Sequence, residues 1–200
     1  IYTFRDYTLK EEFISGKGKI SHLDILPYYE SLFKDNIKMG PKRLKVVLDP
    51  GNGTTSPFAL NIYRMFNNLD IIMINDKSDG TFPNHHPDPA VPENLKQLQE
   101  KVKEVHADVG IAFDGDGDRV GFVDNETNII PADKFLAILM QFYSPHYQDK
   151  RVLYDVKCSS LLKDIADKLH LEPIMYRTGA SYTRSEIVKE NIPFGGEYSG

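Results

Sequence analysis

The sequence has 200 residues, enough for one large domain or two modest ones, and a hydrophobic fraction of 40% that can supply ordinary cores. Its 24 basic and 29 acidic side chains give a net charge of −5 without a Lys/Arg-rich run, which argues against nonspecific binding to nucleic acid. A single cysteine excludes an intrachain disulfide framework, and no apolar stretch approaches the roughly 20 residues of a membrane span. We therefore expect a cytoplasmic protein that acts on small molecules.

The first part of the chain changes from a polar segment to alternating strands and helices. Residues 1–20 are polar and end in a Gly- and Lys-rich turn or linker, and apolar residues at helical spacing follow over Leu23–Ile37. The pattern then predicts a strand at Leu44–Leu48, a helix at Pro57–Phe66, a strand at Ile71–Ile74, an irregular segment with four prolines at Asp79–Pro92, a helix at Glu93–Val105, and strands at Val109–Phe113 and Val120–Val123.

The second half repeats this alternation after a predicted domain boundary near Asn125–Ile130. In chain order the pattern predicts a helix from Pro131 through Phe142, a strand at Val152–Tyr154, a helix at Leu161–Leu169, a strand at Ile174–Tyr176, a helix at Ser181–Lys189, and a short strand leading from Pro193 into Gly195-Gly196. Strands that alternate with helices in this way are typical of α/β proteins.

The segment with the clearest chemistry lies between two predicted strands and reads Asp114-Gly115-Asp116-Gly117-Asp118-Arg119. The glycines allow the backbone to curl so that the three carboxylates converge, and ionised carboxylates that converge need a cation to offset their repulsion. Ligands that are all oxygen favour a hard ion, Mg²⁺ or Ca²⁺, over zinc. Arg119 would then lie beside the metal, where its planar charged group suits a phosphate.

Three other kinds of loop share part of this pattern: a solvated turn, an EF-hand and the Asp-x-Asp loop of a phosphatase. A loop of Gly and Asp is commonly a solvated turn, but three aspartates in strict alternation between apolar strands favour a metal site. An EF-hand loop needs Gly at its sixth position and Glu at its twelfth, and Arg119 and Asn125 occupy those positions. A phosphatase of the haloacid-dehalogenase type also places Asp-x-Asp after a strand, and it stays open as an alternative.

The loop matches the metal-binding loop of the α-D-phosphohexomutase family, and the chain resembles the phosphomannomutase/phosphoglucomutase branch of that family. Other segments match family motifs in the expected order: Asp49-Pro50-Gly51-Asn52-Gly53, the segment Asp79–Pro89, Asp155-Val156-Lys157-Cys158, Arg177-Thr178-Gly179 and Gly196-Glu197-Tyr198-Ser199-Gly200. Any one of these matches could be chance, but so many in order are specific to the family.

The resemblance covers residues 20–200 and implies two consecutive three-layer α/β/α domains with mixed sheets, the second incomplete. Residues 1–20 would be the tail of a preceding domain, 21–128 the family's second domain with the metal loop, and 129–200 most of its third, sugar-binding domain. The family enzyme has four domains, with a phosphoserine in the first and a phosphate-clamping loop in the fourth. Neither motif occurs here, since Ser56 does not match the phosphoserine sequence, so we expect the chain to be a piece of a longer enzyme.

The resemblance implies a mutase that interconverts the 1- and 6-phosphates of mannose and/or glucose through a phosphoserine and a hexose 1,6-bisphosphate. Its partners would be these hexose phosphates and the flanking domains, with no nucleic acid or membrane. The implied roles are Mg²⁺ binding by Asp114, Asp116 and Asp118, and catalysis by Arg119, which would steady the moving phosphate, and by Lys157, a further cation near the sugar that would assist proton transfer. Glu197 and Ser199 would form hydrogen bonds to the sugar, and Thr178 and Gly179 would line the pocket.

One position departs from the family pattern. After Arg177-Thr178-Gly179, members of this branch often carry His, and this chain has Ala180, which puts one acid–base or sugar-contact role in doubt. His85 and His86 are expected to be structural, because no third nitrogen or sulfur ligand lies at a useful spacing. A different class of function also stays open: this piece by itself would be a non-catalytic fragment that binds Mg²⁺ or phosphosugar.

Overall fold

The structure is a computed structural model that describes residues 2–11, 13 and 15–199, and it divides into two compact units, residues 1–37 and 38–200. The first unit contains helices α1 (Tyr2–Leu9) and α2 (Leu26–Asn36). Helix α2 lies within the predicted range 23–37, but α1 was not predicted. Its apolar side chains are exposed, Phe4 to 78%, and none of its described residues is buried. A helix that buries no face needs no amphipathic pattern, which is the pattern by which helices are predicted.

The second unit begins with a sheet and the helices packed on it, in chain order β1 (Leu44–Asp49), α3 (Ala59–Arg64), β2 (Leu69–Met73), α4 (Lys96–Val105), β3 (Val109–Phe113), β4 (Val120–Asp124) and β5 (Ile129–Ile130). The five strands lie in the order β2-β1-β3-β4-β5. Strand β1 pairs in parallel with β2 and β3, whereas β4 is antiparallel to β3 and to β5, so the sheet is mixed.

Helices cover both faces of this sheet. Gly110 of β3 faces Leu98 and Val102, two fully buried residues of α4. Phe113, three residues along the same strand and therefore on the opposite face, makes an edge-to-face contact of 6.4 Å with Tyr63 of α3. The sheet is thus the middle of three layers.

The second sheet and its helices are, in chain order, α5 (Ala132–Tyr143), β6 (Arg151–Asp155), α6 (Leu161–Lys168), β7 (Glu172–Tyr176), α7 (Ala180–Glu190) and β8 (Gly195–Gly196). The three strands lie in the order β7-β6-β8 and are all parallel among the described residues. Gly195 of β8 faces Ile187 of α7, whereas the next residue, Gly196, faces Leu136 of α5, so helices again lie on both faces.

The α/β class with two consecutive sheets is confirmed, and the predicted mixed character is present in the first sheet. Most boundaries differ by one to three residues. The start of the predicted helix Glu93–Val105 is a separate 3-10 turn at Pro92–Leu95, and the two-residue strand β5 was not predicted because so short a run has no period to detect. No helix in the described part of the chain is long and apolar enough to cross a membrane.

The Pro-rich segment, Asp79–Pro92, contains no strand or α-helix, as predicted, and a buried carboxylate holds it to the end of β1. Asp49 accepts hydrogen bonds from the Gly51 backbone and the Asn75 side chain, and its second oxygen lies 3.0 Å from His85 Nε2. The other ring nitrogen of His85 is 2.9 Å from the His86 carbonyl, so both nitrogens act as donors and the imidazolium form fits the site. The hydrogen bond to Asp49 raises the pKa of His85.

The packing of α4 on the first sheet yields a stability prediction. Leu98 is fully buried, so Leu98→Ala should lower the free energy of unfolding by about 2–5 kcal/mol through lost burial and a residual cavity. Urea unfolding followed by circular dichroism measures this change. The matched control, Glu100→Ala on the exposed side of α4, should stay within about 0.5 kcal/mol of the parent; an equal loss in both variants would contradict the packing described.

The ion pair between His85 and Asp49 yields a pH prediction. The folded pKa of His85 lies above its unfolded value of about 6.5, so the pair stabilises fully below that value, and this contribution is lost as pH rises through the folded pKa. The difference in unfolding free energy between the parent and His85→Gln should therefore be largest at mildly acidic pH and shrink above neutrality. A difference that grows with pH would refute the pairing, and His86→Gln at the neighbouring exposed position is the control.

Candidate functional site

The acidic loop, Asp114–Arg119, joins β3 to β4 and brings its three carboxylates together. One oxygen from each of Asp114, Asp116 and Asp118 lies within 4.8 Å of the other two, and this is the only such group of potential metal ligands among the described residues. Asp114 is buried at the base, whereas the other two are exposed. Gly117 adopts a φ of 79°, and a Cβ there would lie 2.5 Å from Thr55, so the turn requires glycine.

The electrostatics of the loop fit a bound cation. Repulsion from Asp116, and then from Asp114, raises the pKa of Asp118. Burial would by itself raise the pKa of Asp114, but hydrogen bonds from the backbone and side chain of Arg119 outweigh it and hold that pKa below its ordinary value. A divalent ion among the three carboxylates would remove the repulsion, and a set of oxygen ligands matches Mg²⁺ or Ca²⁺.

Arg119 is fixed at two of its three nitrogens. Its Nε donates to Asp114 at 2.8 Å and its Nη1 donates to Asp88 at 2.8 Å. The remaining nitrogen, Nη2, has no protein partner among the described residues. The side chain is one-third exposed, so it keeps a free donor edge although its position is restrained.

The turn that follows β1, residues 50–56, is called the Gly-rich turn and forms a backbone hydrogen bond to the acidic loop. The Thr54 backbone N–H donates to the Gly115 carbonyl at 3.0 Å, and Asn52 binds the loop after β2 through the Lys77 carbonyl. The Thr55 and Ser56 hydroxyls are buried and have no hydrogen-bond partner among the described residues. The backbone hydrogen bond to Gly115 therefore ties this turn to the middle of the acidic loop.

In the second sheet, a buried carboxylate at the end of β6 ties two loops together. Asp155 Oδ1 accepts from the backbone N–H groups of Lys157 and Cys158, and its Oδ2 accepts from the backbone N–H of Tyr198 at 3.2 Å. The Lys157 turn and the segment that follows β8 are thus held by one side chain. Cys158 itself is part of the core, and burial raises its pKa to about 12, which keeps it an unreactive thiol.

Glu197 is oriented by the start of α7. Its Oε1 accepts from the Gly179 backbone N–H at 3.0 Å and from the Thr183 hydroxyl. The other oxygen of the carboxylate has no protein partner in the described part of the chain, so it can receive hydrogen bonds from a bound molecule. The hydroxyl of Thr178, in contrast, is buried and finds no hydrogen-bond partner among residues 2–11, 13 and 15–199.

Residues from the two sheets meet at one cleft of about 380 Å³. The first sheet contributes Asp118 and Arg119, and the second contributes Glu197 and Ser199 together with residues of α7. The other residues predicted for the site do not line this cleft: Asp114, Asp116, Lys157, Thr178 and Gly179. Gly179 acts on it indirectly, because its backbone N–H donates to Glu197. Gly200, the last residue of the final family motif, lies outside the described residues.

The cleft also contains residues that the sequence analysis missed. Arg184 lines it four residues after Ala180, and these two positions share a helix face with Thr183 and Ile187. No ion pair is present at Arg184 among the described residues, so it adds a second guanidinium to this wall. Its place on the predicted helix Ser181–Lys189, just after the Arg177-Thr178-Gly179 motif, is the signal that could have revealed it. Asp88 was missed because no local pattern connects it with Arg119.

Two family models match the chain in succession. Residues 27–127 match the phosphoglucomutase/phosphomannomutase alpha/beta/alpha domain II, and residues 131–200 match the alpha/beta/alpha domain III of the same proteins.

Similar proteins bear the same descriptions. A phosphomannomutase/phosphoglucomutase from Pseudomonas aeruginosa is 38% identical over 200 residues, and a phosphoglucomutase from Neisseria meningitidis is 35% identical over 193 residues, 96% of this chain. A crystal structure of a family member from Burkholderia thailandensis superimposes with a TM-score of 0.91 at 33% identity and is covered to 43%. The chain matches over its full length in the Pseudomonas comparison and spans 43% of that relative. Two adjoining domain matches and these relatives show that the chain belongs to the phosphoglucomutase/phosphomannomutase family.

Proposed function

We propose that the chain is the metal- and sugar-binding part of a Mg²⁺-dependent mutase that interconverts hexose 1-phosphates and hexose 6-phosphates of mannose and/or glucose. One observation carries this proposal: the acidic loop and the Glu197–Ser199 segment, from two different sheets, face the same cleft. A sugar with a phosphate at each end needs both kinds of group, cationic for the phosphate and polar for the hydroxyls.

Asp114, Asp116 and Asp118 would hold the Mg²⁺, and the ion when bound would neutralise charge on the phosphoryl group being transferred. Phosphoryl transfer depends mainly on position and on charge stabilisation. Arg119 would supply the protein's own share of both, because its guanidinium is fixed by two carboxylates and the residue lines the cleft.

The residues of the second sheet would recognise the sugar. Glu197 keeps one oxygen free while the other is bound to Gly179 and Thr183, so its orientation is set before a ligand arrives. Ser199 lines the cleft beside it. Lys157 would add a cation with a catalytic role, and Thr178 would form part of the wall around the ligand. Neither residue lines this cleft, so this part of the proposal requires a larger binding region than the cleft itself.

The complete reaction would need parts beyond those described. We propose that residues 21–128 and 129–200 are the second domain and most of the third, that residues 1–20 end a preceding domain, and that a phosphoserine in the longer cytoplasmic protein donates the phosphoryl group. A hexose 1,6-bisphosphate would form, reorient and return its other phosphate to the serine. The chain by itself is then expected to bind Mg²⁺ or phosphosugar without turnover.

The metal site yields a prediction for the full-length protein. Asp116→Ala should lower the turnover of glucose 1-phosphate to glucose 6-phosphate by about 10²–10³-fold or more, because charge stabilisation at the phosphoryl group is lost. A coupled assay with a trace of glucose 1,6-bisphosphate measures the rate, and magnesium titration calorimetry measures the binding.

The exposed aspartate at position 76, replaced as Asp76→Ala, is the matched control and should leave both readouts unchanged. Full activity in Asp116→Ala would exclude the proposed metal site. Release of inorganic phosphate without sugar isomerisation in the parent protein would favour the phosphatase alternative over the mutase.

Ala180 yields a second prediction. Because this position lines the cleft beside Arg119 and Glu197, Ala180→His should add an acid–base group there and raise turnover, within the 10²–10⁴-fold range of a positioned group, while changing the ratio of mannose 1-phosphate to glucose 1-phosphate rates. Steady-state kinetics with both substrates measure this. Ser181→His, one residue away and outside the cleft lining, is the control, and unchanged rates in Ala180→His would show that the position has no such role.

A further inference from the structure

The Pro-rich segment passes directly over the functional ends of β1, β3 and β4. A Cβ on Gly51 would lie 2.9 Å from Pro87, one on Gly115 would lie 3.3 Å from Pro87, and one on Gly121 would lie 2.7 Å from Pro89. The approaches at Gly51 and Gly121 are closer than a side chain would allow, and the one at Gly115 is tight. The two prolines, both buried, are therefore seated on the backbone of the Gly-rich turn, the acidic loop and β4.

Asp88 lies between these two prolines and is held from its own segment. Pro89 restricts the backbone of Asp88, and the Asp88 carbonyl accepts a hydrogen bond from the Asn94 side chain at 2.9 Å. Its carboxylate oxygen Oδ1 accepts from the Ala90 backbone N–H at 3.1 Å as well as from Arg119 Nη1 at 2.8 Å. The carboxylate is thus oriented before it meets the arginine, and its side chain is only 25% exposed.

Arg119 depends on this contact for its direction. A single bond from Nε to Asp114 would leave the guanidinium free to swing about that one contact. Asp88 engages Nη1 and gives the group a second fixed point, so its plane is set by two carboxylates. Nη2 is then the nitrogen that has no protein partner among the described residues and is available to a ligand.

We propose that Asp88 is a positioning residue that holds the Arg119 guanidinium at the cleft. The packing of Pro87 and Pro89 on the strand ends fixes the place of Asp88 between them. The proposal rests on the proposed function, because it assumes that Arg119 contacts the transferred phosphate. Asp88 would not touch the substrate and would act only through the arginine. A partly exposed ion pair adds little to stability, so the effect on catalysis should separate from any effect on folding.

A double-mutant cycle in the full-length protein tests this inference. Asp88→Asn keeps the shape of the side chain and should lower kcat by about 10–100-fold, the range seen when a supporting contact of an active-site group is lost, with little change in KM or Tm. In an Arg119→Ala background the same substitution should cost nothing further. Asp88→Ala should behave in the same way with a larger single-variant loss.

Asp79→Asn is the matched control, because this aspartate belongs to the same segment, is exposed, and its carboxylate bonds only to Thr81 among the described residues. If the losses from Asp88→Asn and Arg119→Ala multiply in the double variant, Asp88 acts on the site by another route and the proposal is wrong. An unchanged kcat in Asp88→Asn also overturns it.

A second readout does not depend on turnover. Nuclear magnetic resonance of the Arg119 side chain should show slow rotation about its Cζ–Nε bond in the parent and faster rotation in Asp88→Asn. Equal rotation rates in the two proteins would overturn the proposal. Slowed rotation in a parent without mutase activity would support the positioning of Arg119 and refute the proposed function, so the two failures are distinguishable.

Discussion

Mutual repulsion among three aspartates is the constraint that shapes this part of the molecule. Bringing their oxygens within 4.8 Å of one another costs electrostatic free energy, and the protein offsets only part of it. Arg119 pairs with the buried member of the group, Asp114, at 2.8 Å, whereas the two exposed carboxylates form no ion pair among the described residues. The Gly-rich turn and the Pro-rich segment both contact the loop at Gly115. A divalent ion bound among the three carboxylates would offset the repulsion that remains.

The two sheets contribute to the cleft in the same way, although their strands are arranged differently. In each, the residues that line the cleft follow the carboxyl end of a strand: the acidic loop follows β3, and the Glu197–Ser199 segment follows β8. Open α/β sheets commonly bind ligands at this end, because loops there can vary without disturbing the core. Buried carboxylates at the ends of β1 and β6, Asp49 and Asp155, then fix the loops by accepting backbone and side-chain hydrogen bonds.

Much of this arrangement could be predicted from the sequence, and the failures have physical reasons. The strand Val109–Phe113 was predicted to the residue because apolar β-branched runs bounded by turns are a local signal, and the alternation of Asp and Gly in the acidic loop is equally local. The bond between Asp88 and Arg119 joins positions far apart in the chain, so no pattern of spacing could reveal it. Helix α1 was missed for the opposite reason, since it buries nothing and leaves no periodic trace.

The anchoring of the segment after β8 has a consequence for how recognition can change. Asp155 holds this segment through the main-chain amide of residue 198 rather than through a side chain. Any amino acid except proline can supply that amide, so the neighbouring positions are free to be replaced while the loop keeps its place. A new hydroxyl pattern on a ligand could therefore be accommodated by exchanging side chains alone, with the scaffold beneath left untouched.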